Sequence, residues 1–301
     1  MTQHCGLIAV VGAPNAGKST LVNQLVGQKV AAVSPKAQTT RARLLGVAIE
    51  GTEEDGTQLL LVDTPGIFEP ERRFDRAMVA AAWSGAEGAD LLCLVVDGRA
   101  GVGPKVTAVA EAIAARPEPK WLILNKVDIA AKEKLLGHAE KLNAIVPFAE
   151  TWFVSAETGD GVPALKSAMA ALMPAGPWHY PADQVSDASE RSLATEIVRE
   201  HLFRRLHAEL PYASLVETER FTDRSDGSVE IHQQIMVERP TQRAIVLGKG
   251  GQQIKAIGAA ARTELADLFG RPVHLFLHVK VKAGWDEDRE SYRGIGLDWV
   301  E

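Results

Sequence analysis

Nine residues, GAPNAGKST at 12–20, follow the apolar run 7–11 and precede a helical pattern that starts at Leu21. Gly12, the four residues Ala13, Pro14, Asn15 and Ala16, then Gly17, Lys18, Ser19 and Thr20 fit the P-loop pattern. The two glycines permit backbone angles that turn successive N–H groups inward around a phosphate, at the positive end of the following helix. Lys18 is placed to reach the β- and γ-phosphates, and Ser19 to ligate Mg²⁺. A glycine-rich turn that binds nothing is the alternative, and the strand–loop–helix context argues against it. The stretch implies a bound nucleoside triphosphate.

Apolar runs at 7–11, 59–62, 91–96, 121–124 and 152–154 alternate with helical spacing at 76–89, 105–115 and 132–143. This rhythm predicts a doubly wound α/β domain with its ligand at the carboxyl ends of mostly parallel strands. The run 45–49, joined through 51–56 to the strand at 59, predicts one antiparallel edge strand. With 301 residues, 46% hydrophobic and 24% charged, the chain has room for a second, smaller domain. A formal net charge of −6 gives no global signal for nucleic acid or an anionic membrane, so any RNA site must be local. Cys5 and Cys93 lie in apolar surroundings and read as reduced, buried thiols rather than a disulfide or a metal site. No signal peptide or membrane span is expected, and a cytoplasmic protein is.

Four further motifs follow in order. QTTRARLLG at 38–46 offers a threonine on a loop beyond the first helix; Thr40, with Thr39 as the alternative, could complete the Mg²⁺ shell and sense the γ-phosphate. DTPG at 63–66 follows a strand-like run: Asp63 would hold Mg²⁺ through water, Gly66 would offer an N–H to the γ-phosphate, and Thr64 and Pro65 would line the site. At NKVD, 125–128, the Asp128 carboxylate can accept two hydrogen bonds from guanine that adenine does not offer. Asn125 would touch the base edge and the Lys126 stem would cover a ring face. SAETG at 155–159 adds a second base-contacting loop through Ser155 and the backbone N–H near Ala156. Alone each motif is modest; DTPG by itself can be an ordinary turn.

The ordered set resembles the translation-factor-related GTPases from residue 6 to about 173. That resemblance implies GTP and GDP as ligands with Mg²⁺ held by Ser19, Thr40 and Asp63, and a reaction served by Lys18, Asn15, Thr40 and Gly66. Ile67 stands where Ras-type enzymes carry a water-orienting glutamine, which implies slow intrinsic hydrolysis or another water-positioning group. Asn15 resembles the asparagine that helps hold potassium in tRNA-modification GTPases; otherwise it shapes the loop.

Residues 173–187, proline-rich and without periodicity, read as a linker. A helical pattern at 192–210 follows, then strand-like runs at 214–221 and 228–237 joined by Asp226-Gly227, a hairpin signal. IVLGKGGQQIKAIG at 245–258 contains the turn Gly248, Lys249, Gly250, Gly251 before a helical pattern, and 274–282 alternates as a last strand. The order resembles a type II KH domain, an α+β fold whose glycine turn clamps single-stranded RNA. Acidic residues outnumber basic ones from Ala182 onward, yet Arg243, Lys249, Lys255 and Lys280 could form a local phosphate-contacting groove.

One GTPase domain at 1–175, a linker at 176–190 and a KH domain at 191–301 together resemble the Era family, within the TrmE-Era-EngA-YihA-Septin-like superfamily. AQTTR at 37–41 and VKVKAGW at 279–285 strengthen the match. The resemblance implies a monomer that binds the 3′ end of 16S rRNA during 30S subunit assembly, with peripheral association at the inner face of the cell membrane. A KH-like protein-interaction module and a nucleotide kinase are the rival readings.

Overall fold

Apolar side chains at nearly every position of His4–Val11 suit a strand covered on both faces, and this segment is the interior strand β1 of a six-stranded sheet. The computed structural model describes residues 2–36, 39–207 and 210–300. The chain divides into two compact units: Met1–Ala31 with Thr40–Asp187, and Ala32–Thr39 with Ala188–Glu301.

The first unit adds strands β2 (Leu44–Glu50), β3 (Thr57–Asp63), β4 (Leu91–Asp97), β5 (Lys120–Asn125) and β6 (Glu150–Phe153). Their order is β2-β3-β1-β4-β5-β6, and every neighbouring pair is parallel except β2 with β3. Helices α1 (Lys18–Val26), α2 (Arg73–Ser84), α3 (Pro104–Ala114), α4 (Lys132–Asn143) and α5 (Val162–Leu172) alternate with the strands. Ile8 and Val10 of β1 pack on one side with Leu21, Leu25, Leu165 and Met169. Ala9 and Val11 pack on the other with Ala82, Val109, Ile113 and Leu142. The period-2 alternation of a strand thus produces the two helix layers of the expected doubly wound fold. Cys5 and Cys93 are buried free thiols.

The proline-rich stretch is fastened to this unit rather than hanging free. Gln58, fully buried, accepts from the backbone N–H groups of His179 (2.9 Å) and Tyr180 (3.1 Å) and donates to Tyr180 O at 2.8 Å. Trp178 Nε1 donates to Gly56 O at 3.2 Å. Further on, Val47 N donates to Val185 O at 2.8 Å and Ser186 Oγ to Leu45 O at 2.8 Å. The strap thereby satisfies polar groups along edge strand β2 that would otherwise invite another strand.

In the second unit, α6 (Glu190–Arg205) is followed by β7 (Ser214–Asp223), β8 (Val229–Val237), α7 (Pro240–Leu247), α8 (Gln252–Phe269) and β9 (Val273–Val281). The helical pattern read to residue 210 ends at Arg205, and residues 208 and 209 lie outside those described, as do 37 and 38 of the AQTTR stretch. The sheet order is β7-β8-β9, antiparallel then parallel. Ile197, Leu202, Ile231, Ile235, Ile257 and Leu265 form its core. Among the described residues three α-helices escaped the sequence reading: α5 in the first unit, and α7 and the short α9 (Arg289–Ile295) in the second. Among the described residues no helix is long and apolar enough to cross a membrane.

Candidate functional site

The carboxyl ends of β1, β3, β4 and β5 bring the predicted motifs together. The loop after β1 needs its glycines: a Cβ on Gly12 (φ 151°) would lie 2.3 Å from Val95 O, and one on Gly17 (φ 94°) 2.2 Å from Asn125 Nδ2. Lys18 is buried, and its ammonium donates to the carbonyls of Gly12 and Ala13, both at 3.2 Å. Burial pulls this ammonium down to about 8, against the attraction of Asp63. Ala16 is buried and Thr20 half-buried at the start of α1.

Three oxygens meet at the predicted metal position. Ser19 Oγ donates to Asp63 Oδ2 at 2.6 Å and shares a hydrogen bond with Thr40 Oγ1 at 2.8 Å, while Thr40 Oγ1 donates to Asp63 Oδ2 at 3.2 Å. Of the two candidate threonines it is thus Thr40 that joins the cluster, whereas Thr39 Oγ1 meets Ser34 Oγ at 2.7 Å. Asp63 is fully buried and its Oδ1 has no hydrogen-bond partner among the described residues. Burial raises its pKa against the opposing pull of Lys18 and of the Ser19 and Thr40 hydroxyls. A buried carboxylate oxygen without a donor, beside two hydroxyls, is the hard-oxygen set that Mg²⁺ prefers.

DTPG lies against the P-loop. A Cβ on Gly66 would come within 2.8 Å of Pro14 Cα, Ile67 N donates to Gly12 O at 3.1 Å, and Thr64 Oγ1 donates to Val10 O at 2.8 Å; Pro65 is buried. Ile67 is itself buried, so its side chain lies in the hydrophobic interior.

NKVD is tied to the same loop. Asn125 Nδ2 donates to Ala16 O at 3.0 Å, and Asn125 Oδ1 accepts from Lys126 N (2.8 Å) and Ala156 N (2.9 Å). The Ala156 N–H expected at the base therefore serves the Asn125 side chain in this structure. Ser155 is buried and its Oγ accepts from Thr158 N at 3.2 Å, which shapes the SAETG turn. Asp128, three residues beyond Asn125, is exposed. The sequence reading passed over Asp97, whose carboxylate meets Lys126 Nζ at 2.7 Å.

Comparison with known proteins agrees with this geometry. The family model described as 50S ribosome-binding GTPase matches residues 7–126, and the KH domain model matches 209–286. The GTPase Era of Erythrobacter litoralis is 62% identical, the match covering 98% of this chain and 97% of the relative. The chain belongs to the Era family of GTPases. The GTPase Era of Afipia carboxidovorans is 55% identical over 98% of this chain and 95% of its own. Among solved structures, Era in complex with MgGDPNP and nucleotides 1506–1542 of 16S ribosomal RNA superposes with a TM-score of 0.91 at 34% identity, covering 98% of this chain and 99% of that one. Aquifex aeolicus Era bound to GDP.AlF4- matches with the same TM-score and identity, over 97% and 99% of the two chains.

The second unit carries the other candidate site of an Era-family protein. Gly248 (φ 71°), Gly250 (φ 61°) and Gly251 (φ 78°) all take left-handed backbone. A Cβ on Gly248 would meet Gln253 Cβ at 2.7 Å, whereas Gly250 and Gly251 face open space. Lys249, on the turn, and Lys255, one turn into α8, are exposed. Arg243 donates through Nε to Val279 O at 3.1 Å, a backbone carbonyl within edge strand β9. Lys280 does not join the others: Val279 and Val281 pack toward the helix layer, and the alternation of β9 turns the exposed Lys280 to the opposite face.

Proposed function

We propose that this chain is a guanine-nucleotide switch that binds GTP with Mg²⁺, hydrolyses it to GDP, and binds the single-stranded 3′ end of 16S rRNA during assembly of the 30S subunit. The observation that carries the nucleotide half is the convergence of Ser19, Thr40 and the buried Asp63 beside Lys18. The three oxygen-bearing residues would hold Mg²⁺, which supplies neutralisation of charge on the β- and γ-phosphate oxygens. Lys18, leaving the carbonyls of Gly12 and Ala13, adds a cation there. The N–H groups at 12–20 and that of Gly66 position the γ-phosphoryl group, and Thr40 registers its presence. Asp128 selects guanine, with Asn125 and Ser155–Ala156 shaping the base site.

Ile67 supplies no group that could orient water, so hydrolysis without a partner is slow. Asn15, at φ 64° on the P-loop, is the residue that would help hold K⁺ beside the phosphates. Gly248–Gly251, Lys249 and Lys255 would clamp the RNA backbone, with Arg243 available once it releases Val279 and Lys280 contributing only to strand that passes around β9. In this reading residues 1–175 form the GTPase domain, 176–190 the linker and 191–301 the KH domain, in a monomeric cytoplasmic protein that associates peripherally with the membrane.

The test is competition of a fluorescent GDP analogue by unlabelled nucleotides. GTP and GDP should displace it and ATP should not. Displacement by ATP at similar concentration would refute the guanine assignment.

A further inference from the structure

Asp97 ends β4 in register with Asn125 of β5. One carboxylate oxygen, Oδ1, accepts from the N–H groups of Arg99 (2.9 Å) and Ala100 (3.1 Å) and closes the turn after the strand. The other, Oδ2, accepts from Lys126 Nζ at 2.7 Å. The same ammonium donates to Asn15 O, also at 2.7 Å. One residue further along the P-loop, Ala16 O accepts from Asn125.

The backbone gives this bridge its meaning. Among the described residues Asn15 and Lys126 are the non-glycine residues with positive φ, each at 64°. Side chains disfavour that conformation, so it persists where neighbours impose it, and such residues gather at functional sites. Here the two residues so held are bonded to one another, and Asp97 stands behind the bond.

We propose that Asp97 is a positioning residue for guanine-nucleotide binding: it aims the Lys126 ammonium at the Asn15 carbonyl and so locks the base-reading end of β5 to the P-loop. The inference rests on the guanine site read above at Lys126. With the carboxylate present, the flexible lysine stem has two anchors and lies where it can cover a ring face. Without its charge, one carbonyl alone holds the ammonium, and the stem leaves the base. Burial would raise the Asp97 carboxyl, but the hydrogen bonds from Lys126 and Ala100 hold it below the usual carboxylate range, so the anchor is ionised at neutral pH.

Asp97→Asn separates the two roles, because an amide oxygen can still accept from Arg99 and Ala100 while the charge facing Lys126 is gone. The release rate of a fluorescent GDP analogue is measured by stopped flow for the wild type, Asp97→Asn, Lys126→Ala and the double variant, with thermal unfolding of each. The expected result is release about tenfold faster in Asp97→Asn at an unchanged unfolding midpoint, and no further acceleration when Asp97→Asn is added to Lys126→Ala. Wild-type release from Asp97→Asn, with faster release from Lys126→Ala, would reduce Asp97 to a turn residue and overturn the proposal. So would acceleration by Asp97→Asn that is as large without Lys126 as with it. Wild-type release from Lys126→Ala would remove the guanine-site reading itself, and the proposal with it.

Discussion

In the proposed function Asp128 is the residue that selects the base, because a carboxylate offers only acceptors and guanine presents two donors side by side. Asp128→Asn places a donor there, so the variant should prefer xanthosine over guanosine nucleotides in a competition assay; retained guanine preference would contradict the assignment. Asn15 should reveal itself through salt. If it helps hold a monovalent cation, hydrolysis runs faster in potassium than in sodium at equal ionic strength, and Asn15→Ala abolishes the difference while nucleotide still binds. Lys18 predicts a pH dependence. Its ammonium is lowered to about 8 in the free protein and raised again by bound phosphates, so nucleotide binding takes up a proton once the pH passes that value. GDP affinity should therefore fall as the pH rises above about 8, and calorimetry at pH 8.5 in two buffers of different ionisation enthalpy should register proton uptake. The residues in these predictions were legible because each sits at a fixed offset in a motif. Asp97 was not, since a lone aspartate after an apolar strand has no distinguishing neighbours and its partner Lys126 lies on another strand's loop. Lys280 was legible as a cation but was grouped with the turn although strand alternation points it away.

At the scale of elements, the apolar runs located every strand because both faces of the first sheet are covered and the alternation of β9 marks its half-covered face. Helix α7 was missed because its eight residues contribute a single buried side chain, Val246, too little to show a period. The strap at 174–187 was missed as structure for a different reason: it is held by hydrogen bonds to Gln58 and to edge strand β2 and by the isolated side chains of Trp178, Tyr180 and Val185, which make no hydrophobic period. Gln58 is its pin. Gln58→Leu would leave the N–H groups of His179 and Tyr180 and the carbonyl of Tyr180 without their buried partner, at a cost of about 2 kcal/mol. Denaturant unfolding followed by tryptophan fluorescence, with limited proteolysis to locate new cleavage, checks this. Cleavage should appear between residues 174 and 187, and an unchanged midpoint with no new cleavage would show that the strap does not depend on this side chain.

For the molecule as a whole, two compact units carry the two proposed chemistries, a triphosphate site on the first and an RNA clamp on the second. Gly250 isolates the clamp. It takes φ 61° and a side chain there meets open space, so the effect of a substituent falls on the backbone conformation and on whatever approaches the turn. Gly250→Ala imposes the conformational strain alone, while Gly250→Asp adds a negative charge where phosphates should come close. The deciding measurement is fluorescence anisotropy of a labelled single-stranded RNA carrying the 3′-terminal 16S sequence, titrated with the wild type and both variants, with circular dichroism for folding and GTP hydrolysis in parallel. The prediction is saturable, salt-sensitive binding by the wild type, a loss on the order of 2 kcal/mol or more in Gly250→Asp, a smaller loss in Gly250→Ala, and hydrolysis without RNA unchanged in all three. Equal RNA affinity in a folded Gly250→Asp protein would contradict the account and assign the second unit to protein partners instead.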